Sequence, residues 1–158
     1  MITGSFITAG EEQTFAFGRT AGEMAQAGDV WGLSGPLGAG KTAFVKGLAA
    51  GLGFPGHVTS PTFALQHIYQ EGRLPVFHYD WYRLKVAGEV EELGFFEWIE
   101  KGGVTVIEWA DKFPGLIPSD CIKLTMDLVS DEERRLILEA SDPRSAPRAE
   151  ELLKCWPP

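Results

Sequence analysis

Hydrophobic positions recur with two different spacings along this chain, and the change of spacing separates predicted helices from predicted strands. Thr8-Ala-Gly-Glu11 matches the S/T-x-x-E capping box, which predicts a helix that starts there and runs to about residue 27. Residues 29–34 form a short apolar run and predict a buried strand that leads into a glycine-rich turn. Residues 41–52 then have apolar side chains at helical spacing and end before a glycine, which predicts a second helix.

The second half of the chain predicts two hairpins, a further strand and helical segments. In chain order, these are a hairpin over 62–70 and 74–79, a partly helical segment over 89–101, a strand over 103–108, a hairpin over 121–129 and 133–140, and a helix over 146–155. Helices near a buried strand core with appended hairpins are typical of an α/β fold. We therefore expect one domain over residues 1–158, with a mixed sheet that has a parallel core, antiparallel edge hairpins and helices on both faces.

Composition and charge narrow the possible functions. Of the 158 residues, 44% are hydrophobic and 23% are charged, which is typical of one globular domain. The net charge of −8 argues against a protein that binds nucleic acid or an anionic membrane on its own. The first basic residue is Arg19 and no apolar run approaches ~18 residues, so we expect neither a signal peptide nor a membrane span. Cys121 and Cys155 lack zinc-site spacing, and we expect reduced thiols in a cytoplasmic protein.

A glycine-rich segment carries the strongest chemical signal. Gly35-Pro-Leu-Gly-Ala-Gly-Lys-Thr42 matches G-x-x-x-x-G-K-[ST], the phosphate-binding loop. Its backbone N–H groups must wrap a phosphate chain closely, and the next helix adds positive potential at its N-terminus. We expect Lys41 to reach the terminal phosphates and the Thr42 hydroxyl to bind Mg²⁺. The segment thus predicts a P-loop NTPase-like fold, with a triphosphate bound by Gly35, Gly38, Ala39, Gly40, Lys41, Thr42 and Ala43.

A dinucleotide-binding turn is the competing interpretation of the same glycines. Residues 38–43 also fit G-x-G-x-x-[GA], but that fold needs an acidic residue roughly twenty positions later to hold a ribose. Residues 30–70 contain no Asp or Glu, although 22 of the 158 residues are acidic. The gap suits a polyanionic ligand lying across this segment, with Lys41 and Lys46 as counter-charges, and it favours the triphosphate.

Two carboxylates follow predicted strands and are candidates for metal binding and catalysis. Asp80 ends the run Val76-Phe-His-Tyr, and Glu108 ends the more apolar run Val104-Thr-Val-Ile. Because the carboxyl ends of strands in an α/β sheet converge on the ligand crevice, we expect both acids near the loop. A P-loop enzyme needs one acid in the Mg²⁺ shell and another group to orient water, so Glu108 is the predicted metal residue and Asp80 the predicted catalytic one. The alternative is that each is a solvated strand end.

Other residues near these acids have two interpretations each. His78 lies two positions before Asp80 and hence on the same strand face, which favours a hydrogen bond within the site over a metal pair. Ser60-Pro-Thr62 is either a switch that senses the terminal phosphate or only a turn. Core packing is the default expectation, against a partner-binding face, for three aromatic residues: Trp81, Phe95 and Trp109.

Four motifs in a fixed order resemble those of a known family. They are the loop over 35–42, Ser60-Pro-Thr-Phe63, His78-x-Asp80-x-Tyr82-Arg83 and Val106-Ile-Glu108-Trp109. Their order and spacing are similar to those of the TsaE (YjeE) family, the ATPases of bacterial tRNA threonylcarbamoyladenosine (t6A) synthesis. The sequence departs from the family pattern at Pro36, where Asp is usual, and at Ala110, where Pro is usual. Pro36 removes one backbone donor from the loop.

The resemblance implies an activity, cofactors and partners. It implies a cytoplasmic Mg²⁺-dependent ATPase that binds ATP, turns over slowly alone and docks on the TsaD–TsaB pair. It implies contact with tRNA only through that pair, in agreement with the acidic balance, and no membrane. The site residues that it implies are Thr42 and Glu108 for Mg²⁺, Lys41 and Asp80 for catalysis, Thr62 in a switch-like loop, and the segment Glu11 to Thr14 together with Arg134 at the outer parts of the nucleotide.

Two other functions compete with this one. A small-molecule kinase is the main alternative, but the arginines are scattered and predict no Arg-rich lid for transition-state charge. A GTP switch would need an N-K-x-D guanine-binding motif, which the sequence lacks. The acidic stretch 89–100 is either a partner-facing surface or a plain solvated face.

Overall fold

The computed structural model describes residues 1–156, which form one seven-stranded sheet with helices on both faces. The strands are β1 (Ile2–Ala9), β2 (Val30–Ser34), β3 (Gln66–Tyr69), β4 (Val76–Asp80), β5 (Val104–Glu108), β6 (Ile122–Leu128) and β7 (Glu133–Ala140). The α-helices are α1 (Gly10–Met24), α2 (Lys41–Gly51), α3 (Gly88–Glu92), α4 (Phe95–Ile99) and α5 (Ala146–Cys155), and short 3-10 helices span Ala110–Lys112 and Pro114–Leu116. Within this part of the chain, no helix combines the length and apolarity that crossing a bilayer requires.

The strand order β1-β7-β6-β2-β5-β4-β3 gives a parallel core with antiparallel edges. The four central strands β6, β2, β5 and β4 run parallel, β3 forms a hairpin with β4, and β7 joins β6 to β1 by antiparallel pairing. This confirms the predicted fold class. The register of β4 on β5 pairs Asp80 with Glu108, so the two acids end adjacent strands side by side.

Alternate residues of the central strands point into two separate apolar clusters. Val76 and Val106 contribute to the larger cluster, which α1, α2 and α5 cover. Phe77 and Ile107 contribute to the smaller cluster on the other face, which α3 and α4 cover. Because both faces of β2, β4 and β5 are buried, these strands are nearly continuous buried runs, whereas β6 alternates buried and more exposed residues.

Helices α1 and α2 pack so closely that their glycines touch the opposite backbone. A Cβ atom on any of the four interface glycines would lie between 2.1 and 2.3 Å from a carbonyl oxygen of the other helix, far inside van der Waals contact. This contact fixes the position of α2, whose first two residues are Lys41 and Thr42. The four glycines are Gly18, Gly22, Gly47 and Gly51.

The beginning of the chain differs most from expectation. The sequence predicts no strand there, whereas β1 occupies Ile2–Ala9 and pairs along its length with β7. Thr8 lies in β1 and is no helix cap: its hydroxyl contacts the Thr14 hydroxyl at 2.8 Å, and α1 starts after Ala9 without a side-chain cap among the described residues. The inward face of β1 includes Gly4 and Thr8, so the apolar alternation that marks a strand is interrupted.

Two further boundaries differ from the predicted ones. Helix α1 ends at Met24 and not near residue 27. Strand β3 covers only Gln66–Tyr69, because residues 62–64 form a turn and Leu65 has a left-handed backbone with φ of 68°. The segment before β3 is thereby free to approach the end of β4.

Candidate functional site

A pocket of about 610 Å³ opens at the carboxyl ends of the parallel strands. Its walls come from five parts of the chain: the glycine-rich loop with the start of α2, the start of α1, the segment with Ser60 and Thr62 before β3, the ends of β4 and β5, and the β6–β7 turn. The structure brings to it all the individually predicted site residues except Gly35. These lining residues are Glu11, Gly38, Ala39, Gly40, Lys41, Thr42, Ala43, Thr62, Asp80, Glu108 and Arg134.

The glycine-rich loop owes its shape to backbone conformations that side chains disfavour. Gly35 has φ of 145°, and a Cβ atom there would lie 2.3 Å from the carbonyl oxygen of Met126 in β6. Gly40 has φ of 102° and is the N-cap of α2, so the helix begins at a residue without a side chain to cap it. The first N–H groups of α2 therefore need acceptors from outside the helix, which is the arrangement that binds phosphate in proteins.

Lys41 lies at the back of this loop and is almost fully buried, at 5% exposure. Its Nζ donates to the carbonyl oxygens of Gly35 at 2.6 Å and Pro36 at 2.9 Å, and it lies 4.3 Å from the ring centroid of Trp109. Burial lowers the pKa of the Lys41 ammonium below its ordinary value, and the nearby carboxylate of Glu108 opposes that shift. Gly35 is thus a hydrogen-bond partner of Lys41 and not a wall of the pocket.

Glu108 presents its two oxygens to different neighbours. Oε1 lies 3.5 Å from the Thr42 hydroxyl, at the outer limit of a hydrogen bond. Oε2 accepts a 2.6 Å hydrogen bond from His78 Nε2, and both side chains are buried. The predicted metal residues Thr42 and Glu108 are therefore together, and the predicted hydrogen bond of His78 within the site is confirmed.

Asp80 is held at the end of β4 by three donors. Its Oδ2 accepts hydrogen bonds from the Ser60 hydroxyl at 3.3 Å and the Thr62 hydroxyl at 3.1 Å, and its Oδ1 accepts one from the Tyr82 backbone N–H at 2.8 Å. The residue is 3% exposed. The solvated-strand-end alternative is wrong for both acids, since Glu108 is equally 3% exposed. The segment Ser60-Pro-Thr62 contacts a site carboxylate and so is more than a connecting turn.

The structure places the remaining predicted residues, Arg134, Glu11 and Lys46, in different positions relative to the pocket. Arg134 lines the pocket, but its guanidinium donates to the Gly38 carbonyl at 3.2 Å and so braces the loop from β7. Glu11 is exposed at the pocket rim. Lys46, predicted as a counter-charge, is exposed in a neighbouring cleft and does not line the main pocket, because it lies on the outer face of α2.

Several pocket residues were not predicted as part of the site. Trp109 is half-buried with φ of 60°: it packs against the smaller apolar cluster and also lines the pocket, where its ring lies 4.8 Å from that of Tyr82. Trp81 and Phe95 are fully buried in that cluster. The non-glycine left-handed backbone of Trp109 is a signal that only a structure provides. Thr14 ends the predicted segment Glu11 to Thr14 and lines the pocket, but its buried hydrogen bond with Thr8 was not predicted.

The donor set fits Mg²⁺ bound together with a nucleotide. Within residues 1–156, no group of three His, Cys, Asp or Glu side chains is placed to hold a metal by itself. Mg²⁺ is commonly held by one or two carboxylates together with substrate phosphates and waters, so a hydroxyl and a carboxylate beside a phosphate loop are sufficient. Thr42 and Glu108 meet that requirement.

Comparison with known proteins identifies the family. The family model for "Threonylcarbamoyl adenosine biosynthesis protein TsaE" matches residues 8–137. This chain belongs to the TsaE family. The match includes all four motifs: the glycine-rich loop, the segment 60–63 before β3, and the ends of β4 and β5.

Individual TsaE proteins and a solved structure agree with this assignment. The "tRNA threonylcarbamoyladenosine biosynthesis protein TsaE" of Bacillus subtilis is 38% identical over 145 residues, which cover 92% of this chain and 90% of that protein. The protein of the same name from Treponema pallidum is 36% identical over 130 residues, covering 82% and 96%. The crystal structure of Bacillus subtilis YdiB superimposes with a TM-score of 0.84 at 32% identity, covering 97% of this chain and 95% of that one. This chain therefore shares the fold of YdiB along almost its whole length.

Proposed function

We propose that this chain is a Mg²⁺-dependent ATPase that acts with the TsaD–TsaB pair in forming threonylcarbamoyladenosine in tRNA. The observation that carries the proposal is the convergence, in one pocket, of a phosphate-binding loop with the carboxylates of Asp80 and Glu108 from adjacent strand ends. The names of the relatives support the role in tRNA modification, for which the cytoplasm is the proposed location.

Phosphate binding is assigned to the loop and Lys41. In the structure the lysine ammonium bonds two neutral carbonyl oxygens, and an anionic phosphate oxygen is a stronger acceptor than either. The absence of Asp and Glu between residues 30 and 70 keeps like charge away from the phosphates. Thr42 and Glu108 hold Mg²⁺, which neutralises charge on the phosphates when bound.

Asp80 is assigned to orient the attacking water. An ionised carboxylate offers about four acceptor positions, and Ser60, Thr62 and Tyr82 fill three of them. The three donors fix the carboxylate in one orientation and leave Oδ1 with acceptor capacity for a water. Because the hydrogen bonds of the Asp80 side chain go to Ser60, Thr62 and Tyr82 and not to the loop, its loss should affect the hydrolysis step more than nucleotide binding.

Purified protein tests the ATPase assignment. We expect slow hydrolysis of Mg-ATP, loss of nucleotide binding in Lys41→Ala, and nucleotide binding with hydrolysis reduced at least ~100-fold in Asp80→Asn, as for loss of a general base. Glu71→Gln, which removes an exposed carboxylate in the β3–β4 turn, is the matched control and should behave like wild type. Normal hydrolysis by Asp80→Asn would contradict the role given to Asp80.

The partner assignment needs a separate test. With a net charge of −8, the chain is unsuited to bind tRNA alone, and a partner must provide the basic surface. We expect the TsaD–TsaB pair to accelerate ATP hydrolysis, and the chain to be retained by that pair in a pull-down with Mg-ATP. Absence of both effects at saturating Mg-ATP would refute the partnership while leaving the ATPase assignment intact.

A further inference from the structure

We propose that His78 and Tyr69 are positioning residues that hold the Glu108 carboxylate in the rotamer that faces Thr42. The inference rests on the proposed function, since it concerns how Glu108 is prepared to hold Mg²⁺. It adds two residues that do not line the pocket themselves: His78 lies behind Glu108 in the sheet, and Tyr69 lies behind His78.

A continuous series of polar contacts leads away from Glu108. His78 Nε2 donates to Glu108 Oε2 at 2.6 Å, and the other ring nitrogen, Nδ1, lies 3.1 Å from the Tyr69 hydroxyl. The Tyr69 hydroxyl in turn lies 3.2 Å from the carbonyl oxygen of Thr59. His78 is 0% exposed and Tyr69 6% exposed, so water does not replace these partners.

Strand register explains why these residues meet. His78 lies two residues before Asp80 on β4, and Asp80 pairs with Glu108, so His78 and Glu108 share one face of the sheet. Tyr69 of β3 pairs with Val76, which is on that same face of β4. The three polar side chains are therefore aligned across β3, β4 and β5.

The two oxygens of Glu108 make different contacts, and the difference indicates a positioning role for His78. Oε2 is held by a short, buried hydrogen bond, whereas the 3.5 Å contact of Oε1 with Thr42 is too long to fix the side chain. A glutamate has three rotatable bonds, and ordering it costs side-chain entropy. The buried His78 donor orders the side chain through Oε2 before a cation binds, as hydrogen-bond partners of metal-binding carboxylates commonly do.

The same series of contacts reaches the segment that hydrogen-bonds Asp80. Thr59 directly precedes Ser60-Pro-Thr62, whose hydroxyls donate to Asp80. One continuous set of contacts thus supports both carboxylates of the site: Asp80 directly, and Glu108 through His78 and Tyr69. Replacing Tyr69 should therefore loosen His78 without removing any group that contacts Glu108.

Metal binding measured apart from turnover tests the inference. Mn²⁺ affinity is measured by electron paramagnetic resonance with saturating ADP, and nucleotide affinity without metal is measured with a fluorescent ADP analogue in EDTA. We expect His78→Leu to weaken Mn²⁺ binding about 10-fold or more, the usual effect of losing such a partner, with metal-free ADP affinity unchanged. His78→Gln, whose amide nitrogen replaces Nε2, should recover most of the Mn²⁺ affinity.

A second pair of variants distinguishes the proposed positioning role from an effect of misfolding. Tyr69→Phe removes only a hydroxyl and should weaken Mn²⁺ in the same direction as His78→Leu but less. Tyr79→Phe is its matched control, since it removes an equally buried hydroxyl, bonded to Gln66 on the other face of β4, and should bind Mn²⁺ like wild type.

The possible outcomes separate the inference from the function on which it rests. Wild-type Mn²⁺ affinity in both His78→Leu and Tyr69→Phe would overturn the inference alone. Equal weakening of metal-free ADP binding and Mn²⁺ binding would also overturn it, because that result indicates general structural damage. Failure of the wild-type chain to bind Mn²⁺ with ADP would instead refute the proposed Mg²⁺-dependent function.

Discussion

Replacing Gly47 by alanine tests whether the close contact between α1 and α2 holds the phosphate loop in place. The new Cβ atom would lie 2.1 Å from the Phe15 carbonyl oxygen and 2.9 Å from the Arg19 nitrogen. Both are backbone atoms of α1, so no side chain can rotate away. Ordinary contact needs about 3.5 Å, so the two helices must separate by more than ~1 Å at this point.

The expected loss of stability follows from two opposing effects. Overpacking of a closed interface typically costs about 1–3 kcal/mol, and a separation of this size also weakens dispersion contacts between neighbours such as Phe17 and Phe44. Alanine is the better helix former by about 1 kcal/mol, which acts in the opposite direction. We expect a net loss of about 2 kcal/mol in the free energy of unfolding, which for a domain of this size lowers Tm by about 4–8 °C.

Thermal and urea unfolding of Gly47→Ala measure this loss, and Gly88→Ala is the control. A Cβ atom on Gly88 meets nothing within 4 Å, so that variant should be as stable as wild type or slightly more stable. Because α2 begins with Lys41 and Thr42, Gly47→Ala should also weaken ATP binding. A Gly47→Ala protein as stable as Gly88→Ala would refute the packing argument.

Two other properties can be measured on the folded protein. Arg148→Met should lower the free energy of unfolding by about 3 kcal/mol because it leaves the buried Asp29 carboxylate without its cation. The control Arg144→Met breaks an exposed ion pair and should lower it by less than about 1 kcal/mol. Equal losses of the two variants in urea unfolding would contradict the effect of burial. Burial raises the pKa of the Cys121 thiol to about 12, so iodoacetamide at pH 8 should alkylate only the exposed Cys155 in the native protein and both cysteines in denaturant. Native labelling of Cys121, detected by mass spectrometry, would contradict its burial.

The parts of the fold that local sequence determines were predictable. The glycine-rich loop, β2 before it and α2 after it lie where the motif requires them, because a phosphate loop needs specific residues at adjacent positions. The convergence of Asp80 and Glu108 also followed from a general property of parallel sheets, although only the structure shows that they are directly paired.

Contacts between segments far apart in the chain could not be predicted from the sequence. Strand β1 carries Gly4 on its inner face, where the Leu153 side chain of α5 fills the space, so its role depends on a helix near the other end of the chain. Trp109 is a large aromatic residue, for which the sequence predicts a place in the core. Its position at the pocket depends on its left-handed backbone and on its contact with Lys41. Both cases depend on tertiary contacts that no residue spacing encodes.

A crystal structure of the protein with Mg-AMP-PNP tests the central claim most directly. We expect the triphosphate along the loop over residues 35–42, with the metal ion bound by Thr42 and Glu108 and with Lys41 Nζ in contact with phosphate oxygens. Ordered nucleotide elsewhere on the protein, with that loop free of phosphate at full occupancy of the ligand, would contradict it.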